Sequence, residues 1–221
     1  MLNVLFEKER KFSVKSHLNK WLVLAPPILK SFFEEEDKYL KKNIRPKSNV
    51  LDIGCGFGRN IKVIARKVKK ISGIDYDKKV LGVAKKELKK YGNVELFLEN
   101  AKKLYPRDNV FDYVICMGNT FGNMPSIKLQ VLSEMKRVAK EKGKIIISVF
   151  SEKALNTQSK GLKVAGFNII KSRNGKVYTK EGLISERFTK IQLKEIFNFV
   201  NLNVKIKQLT PISYICEAIK E

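Results

Sequence analysis

Apolar residues recur at helical intervals from Val14 to Asn43, with Trp21, Leu22, Leu24, Ile28, Leu29, Phe32, Phe33, Tyr39 and Leu40 among them. Pro26 and Pro27 interrupt this run, which therefore predicts two short helices or a kink. After a turn at Arg45 to Asn49 the pattern shortens. Val50 to Ile53 is an apolar strand, Gly58 to Val68 a helix, Lys70 to Asp75 a strand, and Asp77 to Tyr91 a helix with Asp77 as its N-cap. Val94 to Leu98 and Phe111 to Met117 read as two further strands. A helix from Ser126 to Lys140 carries Leu129, Leu132, Met135 and Val138 on one face, and a turn at Gly143 leads to the strand Lys144 to Phe150.

Five strands alternating with helices predict a parallel sheet covered on both faces by right-handed crossovers. The first, fourth and fifth strands are continuously apolar, as central strands buried on both sides must be. After Phe150 the rhythm changes. Residues 152 to 166 suggest a helix ending at Gly166, and FNIIKS, KVYTK and GLISERF are short extended pieces separated by Asn174-Gly175 and Gly182. Asn-Gly between two extended runs is a hairpin signal. Thr189 then caps a helix to Val200, and LNVKIKQL with SYICEAI, hinged at Pro211, reads as an antiparallel pair that finishes the sheet.

The chain has 221 residues, 43% of them hydrophobic and 10% aromatic, enough for one domain with a full core. MLNVLFEKERKFSVK meets charge within a few residues and lacks a signal-peptide apolar stretch, and the longest apolar run, Trp21 to Leu29, is too short to span a bilayer. A cytoplasmic protein without membrane partners is expected. Cys55, Cys116 and Cys216 are widely spaced in apolar or glycine-rich contexts and read as reduced core thiols; with the lone His17 they offer no metal cluster.

The formal charge of +23 points toward a polyanionic partner until its distribution is considered. Lys62, Arg66, Lys67, Lys69 and Lys70, then Lys78, Lys79, Lys85, Lys86, Lys89 and Lys90, lie on predicted helices with apolar residues between them. Such lysines are the solvated faces of amphipathic helices, and a Lys-rich surface also suits adaptation to heat. Nucleic acid stays open as a partner.

VLDIGCGFGRN, residues 50 to 60, places Gly54, Gly56 and Gly58 at the carboxyl end of the first strand, where open α/β sheets bind ligands. The glycines admit a tight turn and a ligand touching the main chain, and the next helix presents its N-terminus there. A dinucleotide loop needs G-x-G-x-x-G, but Arg59 stands where the third glycine belongs. An acid, Asp52, precedes the loop, and a second, Asp75, ends the next strand, where a carboxylate can accept from both ribose hydroxyls. Asp52 repels a pyrophosphate and attracts an ammonium or sulfonium. The charge pattern thus selects S-adenosylmethionine over NAD.

VLDIGCGFGRN, GIDYD, FLENAKKL and FDYVIC, in that order, resemble the signature motifs of class I S-adenosylmethionine-dependent methyltransferases, over roughly Ser48 to Phe150. The resemblance implies an α/β, Rossmann-like, doubly wound seven-stranded sheet, mostly parallel with an antiparallel C-terminal strand. It also implies one domain, divided into an N-terminal helical cap (1–47), a cofactor-binding core (48–150), a substrate-side insertion (151–188) and a C-terminal helix with antiparallel strands (189–221). Carried over by position, Gly54, Cys55, Gly56 and Gly58 hold the methionine end of the cofactor, with Asp52 behind them. Asp75 holds the ribose, Tyr76 packs on the adenine, Asn100 and Ala101 read the adenine edge, and Met117 lines the site. The family often has Asp where Asn100 stands; an amide can still accept and donate.

CMGNTFGNMP, Cys116 to Pro125, resembles the corresponding loop of glycine N-methyltransferase and related small-amine enzymes, and lacks the Asn-Pro-Pro-aromatic pattern of enzymes that methylate base amines. That likeness assigns substrate positioning to Asn119 and Phe121, with Asn123 a further amide. Two segments are candidates to close the site, one with Phe12, Trp21 and Phe33 and the other with Tyr178, Arg187 and Phe188, although each aromatic reads first as a core residue; Arg173, Lys176, Lys180 and Arg187 make the insertion basic, as an anion site or as solvated surface. The expected activity is methyl transfer to a small polar molecule, at nitrogen. The alternatives are an RNA methyltransferase and a protein that binds the cofactor without catalysis.

Overall fold

A computed structural model describes residues 24–105 and 108–221 of the chain. Its first long helix, α1 (Pro27–Asn43), starts at the proline pair: Pro27 takes the first helical position, where a missing N–H costs nothing, and Pro26 precedes it. The prolines therefore begin a helix instead of kinking one. The earlier part of the predicted helical run, with His17 and Trp21, lies outside the described residues, as does Phe12.

The expected alternation follows: β1 (Asn49–Ile53), α2 (Arg59–Ile64), β2 (Lys70–Asp75), α3 (Lys78–Leu88), β3 (Val94–Leu98), β4 (Phe111–Cys116), α4 (Lys128–Val138) and β5 (Ala139–Phe150). Asp77 caps α3, accepting from the Lys79 and Val80 N–H groups at 2.9 and 3.2 Å. Then come α5 (Leu155–Val164), β6 (Ile169–Arg173), β7 (Lys176–Thr179), β8 (Ile184–Glu186), α6 (Lys190–Phe199), β9 (Val204–Thr210) and β10 (Ser213–Ile219). Thr189 and Gln192 close the start of α6 with a reciprocal capping box.

Seven strands form one sheet in the order β3-β2-β1-β4-β5-β10-β9, in which β10 runs antiparallel to both of its neighbours. The order reverses between β1 and β4, so the crevice for a ligand opens beside the end of β1. Side chains of the central strands alternate between two cores. Val50, Tyr113, Ile115 and Ile146 pack with α1, α2 and α3, while Leu51, Ile53, Val114, Ile145 and Ile147 pack with α4 and α6. The lysines of α3, among them Lys78, Lys79, Lys85 and Lys86, are exposed opposite its buried Leu81, Ala84 and Leu88.

Two boundaries differ most from the expectation. The helix after the glycine loop has six residues and stops at Ile64, so its dipole contributes less to a ligand than a longer helix would. Strand β5 starts at Ala139 and keeps pairing with β4 through an irregularity, since Phe111 faces Ala139 whereas Tyr113 faces Lys144. Lys142, at φ 60°, and Gly143 make that bulge; the turn chemistry interrupts a strand instead of preceding one.

The segments after α5 form a separate antiparallel sheet, β6-β7-β8, whose first hairpin turns on Asn174 and Gly175 at φ 49° and 72°. Among the described residues no helix is long and apolar enough to cross a membrane. Cys55, Cys116 and Cys216 are buried free thiols.

Candidate functional site

Strand β1 carries Asp52 to the edge of the crevice, and the chain then bends through three glycines with positive φ, Gly54 at 66°, Gly56 at 55° and Gly58 at 78°. At Gly54 the requirement is also steric: a Cβ there would lie 2.3 Å from Thr120 Cγ2, so the loop after β4 rests directly on the glycine loop. At Gly56 a Cβ would meet nothing within 4 Å; this main chain faces open space. Cys55 N–H donates to Ile74 O at 2.9 Å, which ties the loop to the end of β2.

Asp75 ends β2 and braces the loop. Its Oδ2 accepts the Gly56 N–H at 2.9 Å and its Oδ1 the Asp77 N–H at 3.0 Å, while burial holds its carboxyl above the ordinary carboxylate range. Tyr76 follows it, 63% exposed. Glu99 N–H donates to Asp75 O at 3.1 Å, so Tyr76 and Asn100 leave adjacent strand ends. The Asn100 oxygen accepts the Lys102 N–H at 3.1 Å, which leaves its amide N–H groups as the donors facing outward; Ala101 and Met117 are buried.

Asp52 is fully buried, and its carboxylate accepts from Asn60 Nδ2 at 3.2 Å on both oxygens. Burial pushes it up to about 7, against the opposing pull of the Asn60 amide and the Arg59 cation. Asn60 Oδ1 is a buried acceptor without a donor.

Asn119 and Phe121, which the resemblance assigns to substrate positioning, are both buried. Asn119 is 1% exposed at φ 59°; its Oδ1 accepts the Phe150 N–H at 2.9 Å and its Nδ2 donates to Ser185 Oγ at 3.2 Å. Both ends of the amide are engaged by the protein, so Asn119 clamps the loop after β4 to the end of β5 and to β8. Phe121 is fully buried, its ring 6.2 Å from that of Phe188. Phe188 itself belongs to the main core, while Tyr178 is half-buried on β7.

Sequence reasoning passes over Glu36. This acid of α1 is fully buried: its Oε1 accepts the Gly118 N–H at 2.7 Å and the Ser148 hydroxyl, and its Oε2 pairs with Arg59. Arg59 also pairs with Asp37 and lies over the Phe33 ring, 4.8 Å from its centroid. Helix α1 is thereby fastened to both loops that border the crevice. A signal is present in the spacing, because Leu29, Phe32, Glu36 and Leu40 occupy one buried stripe. The EEED run from Glu34 to Asp37 hides which acid turns inward.

The arrangement fits a cationic nucleoside with an amino-acid tail. Open space stands over the Gly56 main chain, the acid Asp52 lies beneath it with only a neutral hydrogen-bond partner, and Asn60 Oδ1 lacks a donor. Exposed Tyr76 and the outward amide of Asn100 suit a flat base. A pyrophosphate would meet Asp52 and Asp75 as like charges.

Residues 50–143 match a family model described as a methyltransferase domain. Over 156 residues the chain is 31% identical to the demethylmenaquinone methyltransferase of Bacillus licheniformis, covering 67% of this chain and 66% of that protein. It is 33% identical over 138 residues to the ribosomal protein L11 methyltransferase of Dictyoglomus thermophilum, covering 62% of this chain and 42% of that one. For the demethylmenaquinone relatives from Bacillus mycoides and Lysinibacillus sphaericus, the match spans 59% and 44% of their length. The fold superposes on a SAM-dependent methyltransferase from Aquifex aeolicus with a TM-score of 0.67 at 18% identity, covering 96% of this chain and 100% of that one. Sequence motifs, sheet order, glycine loop and family match agree: this chain belongs to the class I S-adenosylmethionine-dependent methyltransferases.

Proposed function

We propose that the protein methylates a small polar acceptor at nitrogen. Bound S-adenosylmethionine supplies a methyl group already attached to a good leaving group, so the protein's task is alignment and exclusion of water. Asp52 and the Gly54 to Gly58 main chain would hold the amino-acid end, Asp75 the ribose, and Tyr76 with Asn100 the adenine. Helix α1, pinned through Glu36 and Arg59, covers the crevice from one side, with the Phe33 ring beside Gly118; a Cβ on Gly118 would lie 3.5 Å from that ring.

The observation that carries the nitrogen reading is that the acid bonded to the loop after β4 is already engaged and so is not free to act as a base. Glu36, the acid bonded to that loop, is bound by Arg59, Ser148 and the Gly118 N–H. A neutral amine kept deprotonated by desolvation attacks unaided, whereas a hydroxyl or carbon nucleophile usually needs a base.

A second reading has one specific support: relatives named for demethylmenaquinone suggest an apolar ring as acceptor. Incubation with methyl-labelled cofactor and a cell extract separates the readings. Label in small water-soluble amines supports the first. Label in the lipid fraction would replace it with the second, and label in RNA or in ribosomal protein would replace both.

A further inference from the structure

Arg187 follows β8 and is only 7% exposed, yet no acidic side chain among the described residues pairs with it. Its neighbour Glu186 is taken by Lys128 at 2.7 Å and Lys176 at 3.8 Å, and Glu152, just after β5, accepts from the Tyr214 hydroxyl at 3.1 Å. The guanidinium donates from Nη1 to Gln158 Oε1 at 2.6 Å. Gln158 is itself buried and fixed, donating from Nε2 to Ser185 Oγ at 2.8 Å. The opposite edge of the fork, Nε and Nη2, has no partner among the described residues. Removing a cation from water without a counter-charge is costly, and burial holds the Arg187 pKa below that of a free guanidinium with no neighbouring charge to offset it.

The location gives this unpartnered edge a use. Asn119 bonds Ser185, Ser185 bonds Gln158, and Gln158 bonds Arg187, so one continuous network runs from the loop that touches Gly54 to the guanidinium. Ser185 and Arg187 are two residues apart on one extended segment and therefore share a face. Beside them, Ser151, bridged to Phe188, has a fully buried hydroxyl without a partner. A planar fork of N–H donors matches a carboxylate bidentately.

We propose that Arg187 is the anion-recognition residue of the acceptor site, so that the methylated molecule carries a carboxylate. Gln158 and Ser185 are positioning residues that turn the guanidinium edge toward it. The inference rests on the small-acceptor reading above, and it narrows that reading to amino-acid-like or similar acids.

The test uses the full chain, labelled with nitrogen-15 at arginine. Acetate and inorganic phosphate are titrated at constant ionic strength against the Arg187 Nε–H resonance, assigned by its loss in Arg187→Lys. The binding of S-adenosylhomocysteine is measured separately by calorimetry. Saturable movement of the Arg187 signal with acetate, weakened at least tenfold in Gln158→Ala, is the expected result. No saturation, or saturation by phosphate alone, overturns the carboxylate assignment. Loss of S-adenosylhomocysteine binding in the wild-type protein would instead undermine the methyltransferase reading, and the acetate titration still decides whether the anion site exists. Should Gln158→Ala fail to fold, the wild-type titration alone upholds or overturns the assignment.

Discussion

The carboxylate of Glu36 pairs with the guanidinium of Arg59 across the seam between α1 and the glycine loop, Glu36 fully buried and Arg59 one-third exposed at 33%. The same carboxylate accepts the Gly118 N–H, so one acid ties together the helix, the loop after β1 and the loop after β4. Arg59→Ala strands a buried charge, and removing one partner of such a pair costs about 3–5 kcal/mol. Urea unfolding of this variant should show a clearly lower midpoint, while Glu36→Gln, which removes the charge with the shape kept, should lose less. Equal losses in the two variants would mean that the ion pair is not what matters at this seam.

Asp75 is predicted to act on the cofactor in two ways, by accepting from the ribose and by holding the Gly56 N–H in place. Asp75→Ala should weaken S-adenosylhomocysteine binding by about 1–3 kcal/mol, the usual loss for a hydrogen bond to a charged group. Calorimetry that finds unchanged affinity removes Asp75 from the site.

The buried Asp52 makes stability and cofactor affinity respond to pH in opposite directions. Its folded pKa of about 7 lies above the ordinary value of 3.8, so between those values the folded chain holds a proton that the unfolded chain has released. Stability from this group is therefore full below pH about 4, falls as pH rises toward 7, and levels off above it, with a total on the order of 4 kcal/mol. The ionised form is the one that attracts an ammonium, so affinity for S-adenosylmethionine should rise over the same interval. Asp52→Asn should flatten both profiles; a variant that keeps the wild-type slopes would assign them to another acid.

Asn119→Ala should behave as a structural lesion. It leaves the buried Phe150 N–H without an acceptor, which costs about 1–3 kcal/mol, and puts a Cβ-bearing residue at φ 59° without the local bonding that makes Asn tolerable. Asn119→Gly should recover the conformational part alone. A thermal midpoint unchanged in the alanine variant, combined with lost turnover, would return Asn119 to a direct role at the substrate.

The periodicity of the chain makes the central sheet legible because β1, β4 and β5 are apolar on both faces and the turn chemistry between elements is explicit in Asp77, Asn174-Gly175 and Thr189. The glycine loop is legible for a related reason: three left-handed positions and an open approach leave few residue types to choose from. What stays concealed lies in contacts between distant segments. Glu36 reaches Ser148 across 112 positions, and nothing local marks either as a partner. The partners of Asn119 are hidden for the same cause. Its side chain has the right chemistry for a substrate, but the Phe150 main chain and Ser185, 31 and 66 positions away, claim it first.

Strand β10 enters the sheet between β5 and β9, pairing with both. During synthesis a nascent chain that has not yet emitted Ser213 displays the long outer edge of β5 unpaired, with Ile145, Ile147 and Val149 along it. Bare strand edges recruit other chains. The interval between translation of β5 and of β10 is thus a window of aggregation risk, and the many lysines, by mutual repulsion between neighbouring nascent chains, are well suited to guard it.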